Sequence, residues 1–246
     1  MTTDTDWLED ARITGRVALV PLVYFAAEWV VSASWRGYYG YREDVVGPLG
    51  AAFCGPQGNW PCSDLYHVMN VALVATGAAV AIVAAGFWRQ RVTDRGHALL
   101  LIVAGIGLAC SGVVTVNVDY AWNLTATMVF LTLGGVGSVL VAVSSTSAMS
   151  VERRAVAVLA GALSLVGLFS FLGGHQVFGA GGAQRMAMYG VLVAVIALGT
   201  TDLRTRHSAA AGGAPFMQSP GKTQMSLTGS MSPGAAAGDR EILGIA

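Results

Sequence analysis

The chain has 246 residues, 54% of them hydrophobic and 11% charged, with a formal net charge of zero, whereas soluble domains carry about 25% charged residues. So little charge excludes an ordinary soluble domain, and no basic, aromatic-interleaved patch offers a surface to nucleic acid. The single lysine, Lys222, lies in a polar stretch, which excludes a retinal Schiff base because that chemistry needs a buried lysine amine. The strong preference for arginine over lysine, with abundant Ala, Gly and Val, points to a bacterial genome rich in G and C.

A bilayer crossing takes about 20 apolar residues at about 1.5 Å each. Residues 1–14 read as a mobile acidic segment carrying Asp4, Asp6, Glu9 and Asp10. The first expected span follows at Val17 to Ser34, then Asp64 to Trp88, Ala98 to Val116, Trp122 to Val143, Ala155 to Gly173 and, shortest, Ala183 to Thr200. Continuous apolar runs such as VALVATGAAVAIVAAGFW are helical, since membrane strands would alternate in segments of about ten residues. Small residues at Gly105/Ala109, Gly107/Ser111 and Gly134, Gly135, Gly137, Ser138 read as packing seams within one bundle. Residues 203–246, rich in Ala, Gly, Ser, Pro and Met, read as a disordered tail.

Arginine placement sets the expected orientation. Eleven of the fourteen basic residues fall in alternate connections, and only Arg36, Arg42 and Arg185 in the others. The expected fold is an all-α membrane protein, a six-transmembrane-helix antiparallel bundle over residues 15–202. Both termini are then cytoplasmic, and loop 35–63 faces outward. In that loop Cys54 and Cys62 enclose seven turn-prone residues and are expected to form a disulfide. Tyr24, Trp29, Trp35, Tyr38, Tyr39, Tyr41, Trp60, Tyr66, Tyr120 and Trp122 fall at the same level, as an aromatic belt does.

The unusual polar side chains also gather there. Glu28 lies late in the first span. Asp64, His67 and Asn70 are spaced three apart at the start of the second, on one face. Asp119 and Asn123 flank the turn between the third and fourth, His175 follows the fifth, and Arg185 opens the sixth. A carboxylate in hydrocarbon costs about 2.5–3.5 kcal/mol unless paired or hydrated, so these groups should face the bundle interior and line a polar cleft. Three uses compete. Glu28, Asp64, Asp119 and Arg185 can pair as staples between helix ends, with His67 capping or packing. Arg185 can take an anionic ligand or lipid headgroup. His67 can act as acid/base beside Asp64 or Asp119. No metal or cofactor set is indicated; the histidines are single and far apart in sequence.

The stretch Cys62-Ser63-Asp64-Leu65-Tyr66-His67-Val68-Met69-Asn70, then Asp119, then Gly182-Ala183-Gln184-Arg185-Met186-Ala187-Met188-Tyr189 together resemble the bacterial, largely actinobacterial, integral membrane family catalogued as domain of unknown function 998. Asn70, Asp119, Arg185 and Tyr189 match that family's pattern. Asp64, Tyr66, Asn123 and Gln184 stand where it has proline, histidine, histidine and glutamate. The resemblance implies the same membrane fold over about residues 15 to 200 and the same outer cleft. The functional expectation is a plasma-membrane protein of the cell envelope binding a lipid headgroup, small ligand or partner protein, rather than an enzyme. The alternatives are a membrane-embedded hydrolase or transferase using His67 and Asp119, or an accessory subunit of an envelope transport complex.

Overall fold

A computed structural model describes residues 10–55, 60–144, 149–174 and 177–200. The 203–246 tail, residues 1–9 of the acidic segment, the loop tip 56–59 and His175 lie outside them. The described residues are helical, with no strand beyond one antiparallel bridge between Trp35 and Ser63. The helices are α1 (Ala11–Val17), α2 (Leu22–Ala33), α3 (Tyr66–Arg89), α4 (Arg95–Val113), α5 (Tyr120–Ser144), α6 (Val151–Leu172) and α7 (Gly179–Gly199), with a 3₁₀ turn at Gly47–Gly50. Counting α1 and α2 together, six are long and apolar enough to cross a membrane.

The first span begins earlier than its hydropathy suggests. Asp10 caps α1, its carboxylate accepting from the Arg12 amide at 2.9 Å, so residues 11–14 are helical where the sequence reads as a mobile segment. Pro21 then divides α1 from α2. It has no N–H to donate, and its ring meets the carbonyl four residues back, at Val17, where α1 stops.

α7, the shortest span expected from the sequence, is the most enclosed; two thirds of its apolar window is buried inside the molecule. Its Gly- and Ala-rich sequence lowers hydropathy because it is made for close packing, not for facing lipid. A Cβ on Gly190 would sit 2.7 Å from the Ser164 nitrogen, and one on Gly167 would sit 2.5 Å from the Ala187 nitrogen. The α3–α4 crossing works likewise, since a Cβ on Gly105 would lie 2.6 Å from both the Gly77 oxygen and the Ala81 nitrogen. Gly107 meets Ala126, Gly134 meets Val191, Gly135 meets Leu165 and Gly137 meets Leu101. These seams therefore close within the chain.

Around this core the outer surface is apolar. On α6, Val156, Leu159, Leu163, Val166 and Phe169 are all exposed at helical spacing, a continuous stripe that water would penalise and hydrocarbon would not.

Candidate functional site

Glu28 and Arg185 find each other across 157 residues of chain. The guanidinium Nε donates to Glu28 Oε1 at 2.6 Å, and the two side chains are 2% and 5% exposed. Tyr189, one turn beyond Arg185, donates to Glu28 Oε2 at 2.8 Å. Both carboxylate oxygens are thus occupied. Arg185 Nη1 donates to the carbonyls of Tyr41 and Asp44, each at 2.7 Å, and Nη2 donates to the Tyr39 hydroxyl. Four of the five guanidinium N–H bonds are committed. The group also lies over the Tyr41 and Tyr39 rings, 4.8 and 5.4 Å from their centroids, a favourable position for a cation on an aromatic face.

The α2–α3 connection is thereby fixed to α7. Gly182 donates to the Arg42 carbonyl at 2.9 Å, and Val46 donates to Gln184 Oε1 at 2.8 Å. Gly179, at φ +71°, and Gly181 would drive a side chain into the Arg42 and Asp44 carbonyls, so glycine there permits the contact. Burial holds the Tyr39 hydroxyl above the usual phenol range, against the opposing pull of Arg185. It stays protonated and donates to the Val45 carbonyl at 3.2 Å.

At its base the connection is held by Ser34–Ser63 hydroxyls 2.6 Å apart and by the Arg36 amide donating to the Cys62 carbonyl at 2.8 Å. Cys54 and Cys62 form the expected disulfide, with an S–S distance of 1.99 Å. Tyr38, Phe53 and Trp60 project outward from this frame, exposed.

The remaining candidates are spread more widely. Asp64 takes both carboxylate oxygens to Arg36 Nη2 at 2.7 Å, at the surface. His67 is exposed, its ring edge-on to Tyr66. Asp119 accepts from the Trp122 amide at 3.1 Å, satisfying one free donor at the start of α5. No hydrogen bond or ion pair joins His67 to Asp119. Asn123, nearly buried, donates to the Ser111 and Val114 carbonyls at 2.9 and 2.8 Å, closing the end of α4. Asn70 donates to the Gly50 carbonyl at 3.0 Å. Those donations fix both amide orientations. Asn70 Oδ1 is left buried without a partner among the described residues. Asn70, Asn123 and Gln184 all line one small cavity of about 20 Å³. Among the described residues no three His, Cys, Asp or Glu side chains converge as a metal site would need.

Three participants escaped the sequence reading. Tyr24 is fully buried, its ring edge-on to Phe25 and Tyr189, and Tyr39 and Tyr41 cover Arg185. All three look like belt aromatics, because a belt and a buried cage share the same composition. The available signal was the pairing of an arginine at a helix start with a tyrosine-rich connection. Compared with family models, curated proteins and solved structures, the chain matches none.

Proposed function

We propose that this is a multi-pass plasma-membrane protein of the bacterial cell envelope, an antiparallel bundle with both termini cytoplasmic and the α2–α3 connection outward. We assign the outward face as a recognition platform for a lipid headgroup, small ligand or partner protein, within the family catalogued as domain of unknown function 998. The orientation is supported by the arginine distribution and by the disulfide, which forms in oxidising compartments.

The observation carrying the platform is the attachment of the connection to α7 through Arg185. A segment tied at its base, closed by a disulfide and held from beneath loses little further freedom on binding, and exposed aromatics on such a frame make efficient anchors. Glu28 and Arg185 build the frame. They face inward and leave the contact to Tyr38, Phe53 and Trp60.

The test is native mass spectrometry of protein extracted in mild detergent, comparing the unaltered chain with Tyr38→Ala/Trp60→Ala. A ligand or partner retained by the first and lost by the second is expected. A clean, unliganded monomer in both would sink the platform. Labelling of single-cysteine variants in intact cells tests the orientation; Arg42→Cys should react with an impermeant reagent and Gly96→Cys should not. The reverse pattern removes the outward face altogether.

A further inference from the structure

At the far end of α3 the turn into α4 holds a recess of about 650 Å³ framed by Arg89, Arg91 and Arg95. Its floor carries the hydroxyls of Thr93 and Ser144, 2.8 Å apart. Ser144 Oγ also lies 3.0 Å from His97 Nδ1. One carboxylate, Asp94, shares the recess, 3.9 Å from that histidine nitrogen. Three arginines thus share the lining of the recess with a single acid, and none of the three has a side-chain hydrogen bond or ion pair to another described residue.

The turn itself breaks a local rule. Val92 donates to the Phe87 carbonyl at 3.0 Å and Arg91 to the Trp88 carbonyl at 3.2 Å, the paired bonds of a helix terminus whose outer residue is left-handed. That residue is usually glycine, yet here it is Arg91, at φ +53°. An L side chain is disfavoured in this conformation, and among the described residues the guanidinium has no hydrogen-bond or ion-pair partner to offset that. Local rules are broken where another requirement overrides them.

We propose that this recess binds a phosphate ester, with the anionic headgroup of a membrane phospholipid as its first source. The chemistry fits: planar guanidiniums grip phosphate oxygens in pairs, and hydroxyls and the free amides at the start of α4 supply further donors. The position fits as well. The recess lies where α3 and α5 end and α4 begins, all three of membrane-crossing length, which is headgroup level. Basic pockets between membrane helices are suited to such lipids.

The deciding variant is Arg91→Gly, which places the favoured residue in the left-handed position while removing one guanidinium. A second variant, Arg89→Gln/Arg95→Gln, leaves the turn alone. Full-length protein in mild detergent is offered equimolar phosphatidylglycerol and phosphatidylcholine and read by native mass spectrometry. Glycerol 3-phosphate is titrated separately, and thermal unfolding is recorded throughout. The unaltered chain should favour phosphatidylglycerol by about tenfold or more. Arg91→Gly should lose most of that preference while its unfolding temperature holds or rises, and the double variant should lose it too. Saturable binding of glycerol 3-phosphate without a lipid preference would assign the recess to a soluble phosphate ester instead. Retention of phosphatidylglycerol by both variants at the unaltered level overturns the proposal, and the arginines would then serve orientation alone.

Discussion

Near the start of α7, one arginine commits four of its five N–H bonds to a carboxylate, a phenol and two carbonyls, under two aromatic rings. At the end of α3, three arginines line a polar recess, with no side-chain hydrogen bond or ion pair among the described residues. The residue type is the same, and its role is set by what surrounds it. Where water is excluded, an unpaired charge costs several kcal/mol and must be met from within. Where solvent reaches, it can be left free, and freedom is what a binding group needs. The saturated end is architecture, and the other is the end we propose as a site.

The largest effect should come from breaking the buried pair. Arg185→Met or Glu28→Met alone should cost about 3–5 kcal/mol, while the two together should recover most of that, because no orphan charge remains. Thermal unfolding of the three variants in detergent measures it; additive losses would mean that the two side chains do not act as a unit. Next comes the α6–α7 seam. Gly167→Ala should destabilise by about 1–3 kcal/mol, since the methyl meets backbone that cannot move aside. Gly96→Ala, at the open end with nothing within 4 Å, should be neutral or stabilising by up to about 1 kcal/mol. Equal effects at the two glycines would erase the contrast in packing.

Removing the disulfide by Cys54→Ser/Cys62→Ser should cost about 2–3 kcal/mol for so short a loop. Hydrogen exchange should rise across residues 51–65 and stay low at residues 40–46, where α7 holds the chain independently. Smallest is the exposed pair. Arg36 and Asp64 are 54% and 65% exposed, so Arg36→Ala should shift stability by no more than about 1 kcal/mol. A loss near that for Arg185 would mean that the base of the connection, rather than α7, holds it.

Composition and run length made the six spans legible, because buried and exposed faces alike are apolar and the signal never alternates. The start of the first span was not legible. α1 is held by a cap and by Gln90 Nε2 donating to Thr14 Oγ1 at 3.0 Å, neither of which raises hydropathy. That Glu28 needed a partner followed from the cost of a bare carboxylate. That Arg185 supplies it follows only from tertiary packing, although pairing was among the uses considered. Asn70 and Asn123 line one small cavity, yet each serves backbone carbonyls, and spacing carries no information about a helix end in another segment. The left-handed Arg91 was invisible because the pattern for that position is written in glycine.

Glu28 emerges from the ribosome 157 residues before Arg185, a delay of about 10–30 seconds at ordinary rates of synthesis. Throughout that interval the first span carries a carboxylate whose counter-charge does not yet exist. A chain translated through α7 supplies that counter-charge and the hydrogen bonds that hold the α2–α3 connection from α7. A product truncated before that point would hold the connection only at its base, through Ser34–Ser63, Arg36–Cys62 and the disulfide. The tie between α2 and α7 therefore forms late in synthesis, after every span that lies between them.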